Sequence, residues 1–315
     1  MFSTYDIIKR ILFVVLLIGS GILAKKLKLV SDASEKDLSL LSVDFIWPAL
    51  IFSSIISTLN ADDILSNLPL PLLSVFIHLI GFLIGFILCR LAGYNGERKK
   101  MFLFHTTMNN FLTMALPIIL FFLPQKGTAL LAVANLGSII IMWTLAAGIL
   151  TGSRSVRQTL RSVFSPAMLA IIAGVTIVLL DVGKFIPGVV MDCISEIGKP
   201  TLFLGLFIAG LRVYKLGRKA LRFNGWNILV GFSRTILIPC ILFASAFLFR
   251  DKVSSETLII FLVVSITPAN VTSVTLAMKF GSSADLAAEG VVITHLLSLG
   301  TMVMFVKLIE RFFIV

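Results

Sequence analysis

Two short polar stretches, Met108-Asn109-Asn110 and Thr267-Pro268-Ala269-Asn270, interrupt runs of chain that are otherwise Leu, Ile, Val and Phe. Carboxamides and a threonine hydroxyl donate and accept hydrogen bonds without carrying charge. They suit reversible binding rather than bond-making. Pro268 has no N–H and releases the carbonyl one turn earlier. The apolar runs also hold ionisable residues, among them Asp44, Glu196, Lys199 and Arg234, and such groups at membrane depth are functional candidates by default. Asp44, ~10 Å into its run at 1.5 Å per residue, suits a proton or sodium coupling role. Glu196 and Lys199, three apart, reach one helix face and either neutralise each other or share that role. Arg234 has no acid within a turn, so it pairs with an acid from another helix or meets an anionic ligand. Lys199 and Arg234 together favour a carboxylate.

Catalysis finds no footing in these residues. There is no nucleophile–base constellation, no Walker motif, no zinc spacing and no HExxH, so we expect neither an enzyme nor a cofactor or metal. Gly19-Ser20-Gly21 begins a dinucleotide-like fingerprint, but no strand precedes it. Asn270-Val271-Thr272 matches a glycosylation acceptor inside an apolar run. Gly81/Gly85 and Gly148/Gly152 are small-xxx-small patterns that let helices approach. Cys89, Cys193 and Cys240 lack metal or CxxC spacing and read as packing residues. His78, His105 and His295 each stand alone and read as hydrogen-bonded packing residues. Asp285 and Glu289 suit the N-terminal turn of a last helix.

The elements that position these groups follow from composition. The 315 residues are 58% hydrophobic and 14% charged, against about 25% charged in soluble domains, and mean hydropathy is +1.04. About 20 apolar residues span a bilayer as a helix, and by that ruler ten spans run over 7–24, 37–59, 68–92, 99–123, 127–151, 165–181, 186–211, 224–249, 255–278 and 284–309. Little chain is left for a soluble domain. The fold class is therefore an all-α polytopic membrane protein, since lipid tolerates only helices and closed barrels. The first run, preceded by Lys9 and Arg10, resembles a signal peptide, but Lys25, Lys26 and Lys28 follow at once and we read it as a retained helix. The net charge of +11 reflects orientation rather than a nucleic-acid partner, because 17 of the 27 Lys and Arg gather in alternate connections. Those connections are then cytoplasmic and both termini external, in the cytoplasmic membrane.

The spans also repeat. LLSVDFIWPALIFSSI and CISEIGKPTLFLGLFI align on Pro48 and Pro200, with Asp44 and Glu196 each four residues earlier. MNNFLTMALP and PANVTSVTLA align on Asn110 and Asn270, with Leu116 and Leu276 coinciding. Each pair lies five spans apart, an odd number, so residues 158–315 repeat residues 1–157 upside down. Interrupted segments at corresponding places in inverted halves point to a transporter's binding site. Their half-helix N-termini, each with roughly half a positive charge, would face each other and suit one carboxylate.

These motifs together resemble the auxin efflux carrier family, which includes plant PIN carriers and bacterial PIN-like permeases. FIWPALIFSSI is similar to its second-span motif, NNFLTMALP and TPANVTSVTLAMKFG to its two crossover segments, and IIMWTL, SRTILIP and AAEGVVITHLLSLGTM to its fifth, eighth and tenth spans. Met108-Asn109-Asn110 stands where plant carriers have Asn-Pro-Asn, and the short central loop is that of prokaryotic members. The resemblance implies ten spans in two inverted repeats. It also implies a dimeric scaffold of spans 1, 2, 6 and 7 beside a transport domain of spans 3–5 and 8–10. Substrate would bind at the crossing of spans 4 and 9, through Asn109, Asn110, Thr267, Pro268, Asn270 and Arg234, with an elevator-like shift. The expected function is secondary transport of a small organic anion, with Asp44, Glu196 and Lys199 as coupling candidates. A sodium-coupled symporter of the bile-acid-transporter type and a non-transporting membrane sensor are the alternatives.

Overall fold

A computed structural model describes residues 4–111, 114–151, 166–217 and 224–313, and among them all regular elements are helical. In chain order these include α1 (Thr4–Lys26), α2 (Asp32–Leu41), α3 (Trp47–Thr58), α4 (Ala61–Ser66), α5 (Pro69–Leu91) and α6 (Gly96–Thr107). There follow α7 (Ala115–Phe122), α8 (Gly127–Ile141), α9 (Ala147–Thr151), α10 (Pro166–Leu179), α11 (Gly188–Gly198) and α12 (Thr201–Leu216). The last are α13 (Gly225–Phe232), α14 (Ile238–Ala246), α15 (Ser255–Ser265), α16 (Ser273–Lys279) and α17 (Ala284–Phe313). The helix starts follow local capping chemistry. Ser31 accepts from the N–H of Ser34, Asn224 from that of Asn227 and Ser254 from that of Thr257. Asn60 and Asp63 form a reciprocal capping box.

Among the described residues, six helical stretches are long and apolar enough to cross a membrane: 32–58, 61–91, 127–151, 188–215, 225–246 and 284–313. Pro166–Leu179 and Ser255–Ser265 are shorter apolar helices. The expected spans 99–123 and 255–278 are not continuous helices. They break between α6 and α7 and between α15 and α16, where the two polar stretches lie.

Among the described residues, three π-helical turns join helices without ending them: Ser42–Ile46, Met142–Ala146 and Ser233–Leu237. In the first and third a proline follows two residues on, at Pro48 and Pro239. A proline ring clashes with the carbonyl four residues back and offers it no N–H, and one extra residue in the turn relieves both. Asp44 and Arg234 both sit in these turns, a type of distortion frequent at functional sites.

The helix contacts fall into two groups that are joined where α3 and α10 meet α8. α1 lies along α12, while α10 and α11 pack on α3. In the second group α5 packs on α6 and α8, α15 on α5, α7 and α14, and α17 on α6, α13 and α16. The α1–α12 contact depends on Gly21 and Gly210. A Cβ on Gly21 would overlap the Phe207 carbonyl, and one on Gly210 the Ile18 carbonyl. Within the Gly19–Gly21 stretch, Gly21 is thus a helix-packing position, while Gly19 faces open space. Gly81 and Gly85 do the same for α5 against Thr106 of α6, as their spacing predicts. Gly148 meets nothing within 4 Å, and Gly152 lies outside the described residues.

Charges gather at helix ends. At one, Lys25 bridges Asp32 (2.8 Å) and Glu35 (3.4 Å), Lys215 reaches Asp32 (3.1 Å), and Arg212 reaches Glu35 (3.5 Å). At another, Lys126 pairs with Asp63 and lies 3.9 Å from Glu256. Buried Asn67 accepts there from Ser254 (2.7 Å) and Thr257 (2.6 Å), tying the α4–α5 turn to α15. Arg154, Arg157, Arg161, Arg218, Lys219 and Arg222, counted above for orientation, lie outside the described residues.

Candidate binding site at the crossing of two broken helices

The breaks meet. The Asn110 N–H donates to the Pro268 carbonyl at 2.7 Å and the Asn270 N–H to the Met108 carbonyl at 3.1 Å. The pair of bonds is reciprocal and brackets an antiparallel bridge between Asn109 and Ala269. Buried backbone that leaves a helix needs such partners. Pro268 frees the Val264 carbonyl, which accepts from the Thr267 hydroxyl (2.8 Å) and the Asn109 amide (2.9 Å). Ala269 N–H donates to the Thr294 hydroxyl of α17 at 3.2 Å. Asn270 Oδ1 accepts from the backbone N–H (2.8 Å) and hydroxyl (2.6 Å) of Thr272, turning the chain into α16.

Arg234 occupies the back of this crossing. Its side chain is fully buried, and it donates to the carbonyls of Thr267 (2.9 Å), Ser265 (3.2 Å) and Thr106 (3.4 Å). Thr106 and Ser265 belong to the C-terminal turns of α6 and α15. Helix C-termini carry partial negative charge, so one guanidinium neutralises both half-helices at the point where they stop.

In front of the crossing lies a cavity of about 260 Å³. The crossing lines it with Asn109, Asn110 and Asn270; α8 adds Asn135 and Ser138, α12 adds Arg212, and the first π-helical turn adds Asp44. Its lining is mostly apolar, with these polar groups set into it. Asn109 keeps its Oδ1 buried without a partner among the described residues. Asn110 Nδ2 lies 3.0 Å from Nε2 of His295, whose Nδ1 lies 2.8 Å from the Val291 carbonyl. That carbonyl can only accept, so Nδ1 carries the proton and Nε2 accepts from Asn110. The same logic holds for His78, with Nδ1 at 2.6 Å from the Ser74 carbonyl and Nε2 accepting from Ser138 at 3.1 Å. Both histidines orient polar groups that line the cavity.

Of the nine residues singled out in the sequence, Asp44, Asn109, Asn110 and Asn270 line the cavity. Thr267 and Pro268 shape the crossing, and Arg234 holds it from behind. Glu196 and Lys199 pair with each other on an exposed helix face, with side chains 67% and 63% accessible, away from the cavity lining. Arg212, Asn135 and Ser138 were missed. Asn135 was findable as a lone amide within the apolar run ALLAVANLGS. Arg212 was not, since it reads as one more basic residue of a connection. Of the cysteines, Cys89 is buried, while Cys193 and Cys240 are exposed on their helices. Among the described residues no three His, Cys, Asp or Glu gather as a metal site. Glu289 accepts from Asn227 at 3.1 Å, consistent with a structural role at the start of α17.

Long apolar helices, polar groups buried at the interruption of two of them, and a cavity beside that interruption define a helical membrane transport protein. The profile of the membrane transport protein family, that of the auxin efflux carriers and PIN-like permeases, matches residues 6–306, and the chain belongs to this family. No curated protein matches the sequence.

Proposed function

We propose that this protein is a secondary transporter that moves a small organic anion, a carboxylate, across the cytoplasmic membrane by alternating access, with substrate at the crossing of the broken helices. The observation that carries this is the reciprocal pairing of Asn110 with Pro268 and of Asn270 with Met108, beside a cavity faced by carboxamides and a guanidinium. Irregular backbone at membrane depth is tolerated where it is buried in protein or lines a cavity. Carboxamides donate to a carboxylate without the desolvation cost of further buried ions. At about 260 Å³, just below the ~300–1,000 Å³ of typical small-molecule sites, the cavity suits a small substrate.

In this reading the chain has ten spans in two inverted halves, 1–157 and 158–315, two of the spans being broken. The two packing groups act as a scaffold (spans 1, 2, 6 and 7) and a transport domain (spans 3–5 and 8–10), the first suited to pairing with a second copy. The transport domain shifts like an elevator, and both termini are external. Arg212, in the cavity lining, sits at the end that also carries Lys25 and Glu35, which the distribution of basic residues makes cytoplasmic. Asp44, on the cavity wall, is the coupling candidate.

A thermal-shift screen of acetate, malate and indole-3-acetate on purified protein, followed by counterflow of any stabilising acid in proteoliposomes, tests the proposal. Stabilisation with counterflow is expected. Stabilisation without counterflow would make the protein a sensor, and an absolute need for sodium would make it a sodium symporter.

A further inference from the structure

We propose that Arg212 is the residue that selects a carboxylate in the cavity, and that Glu35 occupies its guanidinium when substrate is absent. The inference rests on the organic-anion reading above and assigns the charge recognition within it. Thr201, Gly205, Ile208 and Arg212 follow one another at helical spacing along the wall that α12 turns to the cavity. The Arg212 side chain is only 16% exposed, and it donates to the Val271 carbonyl, in the break that also carries Asn270, at 3.4 Å. A carboxylate seated on the crossing therefore lies within the field of this guanidinium, whose planar fork matches a carboxylate. Arg234 is directed instead at three backbone carbonyls.

The Glu35 contact is suited to exchange. Its Oε1 lies 3.5 Å from Arg212 Nε, beyond the 2.7–3.2 Å of a good N–H···O bond. Its Oε2 lies 3.4 Å from Lys25, which also holds Asp32. If Arg212 turns to a substrate carboxylate, Glu35 keeps Lys25. Neither buried charge is stranded, which is the costly outcome for an ion pair that breaks.

The test compares acetate, malate and indole-3-acetate with their own amides on purified protein, by calorimetry. Arg212→Gln should weaken the bound acid by roughly 10–100-fold, the value of one hydrogen-bonded charge, and leave the amide within a few-fold. Arg212→Lys should fall between. Glu35→Gln should tighten the acid several-fold, because it removes the competitor. In wild-type protein the acid should slow phenylglyoxal modification of Arg212, mapped by peptide mass. An Arg212→Gln protein that still prefers acid to amide overturns the proposal. So does a Glu35→Gln protein weakened as much as Arg212→Gln, or an Arg212 unprotected by the acid. If acid binding needs Asn110 and Asn270 but not Arg212, this inference alone fails. If no acid binds wild-type protein, the organic-anion reading fails with it.

Discussion

Replacing Arg234 with methionine separates a residue that frames the crossing from one that binds substrate. The substitution roughly keeps the length of the side chain and removes its donors. The carbonyls of Thr267 and Ser265, now receiving from Arg234 at 2.9 and 3.2 Å, would lose that partner in a buried setting. The bond to Thr106, at 3.4 Å, contributes less. A buried acceptor stripped of its donor costs ~1–3 kcal/mol, so two of them cost about 2–6 kcal/mol. Relief from burying the cation returns part of this, leaving a net loss of about 2–4 kcal/mol. Thermal unfolding in detergent should then show a midpoint lower by at least ~5 °C. Arg234→Lys should fall between, since a point charge cannot reach carbonyls in three directions. An Arg234→Met protein with the wild-type midpoint that no longer responds to ligand would refute the reasoning and place Arg234 among the binding residues.

Asp44→Asn should remove the pH dependence of transport while leaving the unfolding midpoint in place, and an unchanged pH profile would make Asp44 structural. Glu196→Gln should do much less, because its carboxylate is exposed and already paired with Lys199. Gly210→Val should separate α1 from α12, since its Cβ would overlap the Ile18 carbonyl; overpacking of this kind costs ~1–3 kcal/mol, read as a lowered midpoint. Pro268→Ala restores an N–H to meet the Val264 carbonyl and should reduce counterflow far more than thermal stability. In a cysteine-free background, Lys28→Cys and Asp181→Cys should label from opposite sides of the membrane, and labelling from one side would break the proposed topology.

Much of this architecture was legible because membrane depth imposes local rules. An apolar run must satisfy its own backbone, so Thr267-Pro268-Ala269-Asn270 announced a break wherever the chain went next, and Pro268 announced a freed carbonyl. The use of Thr267 and Asn109 to meet that carbonyl was not legible. It depends on the two breaks crossing, which one strand of sequence does not show. The same limit exchanged the two arginines. Arg234 stood out for lying deep in an apolar run, yet depth brought it to helix C-termini, which attract a cation as an acid would. Arg212 was hidden by its place near a helix end, where basic residues ordinarily mark orientation. Glu196 and Lys199 do pair as their spacing implied, but a spacing of three fixes mutual reach and not which way the helix faces. The π-helical turns at Asp44 and Arg234 had their cause in view, Pro48 and Pro239, although a proline two residues on fits a simple kink equally well.

The most direct measurement of the central claim is equilibrium binding of the stabilising acid to wild-type, Asn110→Leu and Asn270→Leu proteins, with unfolding midpoints in parallel. A buried donor to a charged group is worth about 1.5–3 kcal/mol, roughly 10–150-fold in affinity at 1.4 kcal/mol per tenfold. A loss of that size is expected in each variant with assembly preserved, and with a midpoint lowered only by the ~1–3 kcal/mol of the internal bonds to Thr272 or His295 that each variant removes. Wild-type affinity in both variants would contradict it and leave the crossing as a hydrogen-bonded kink with the site elsewhere.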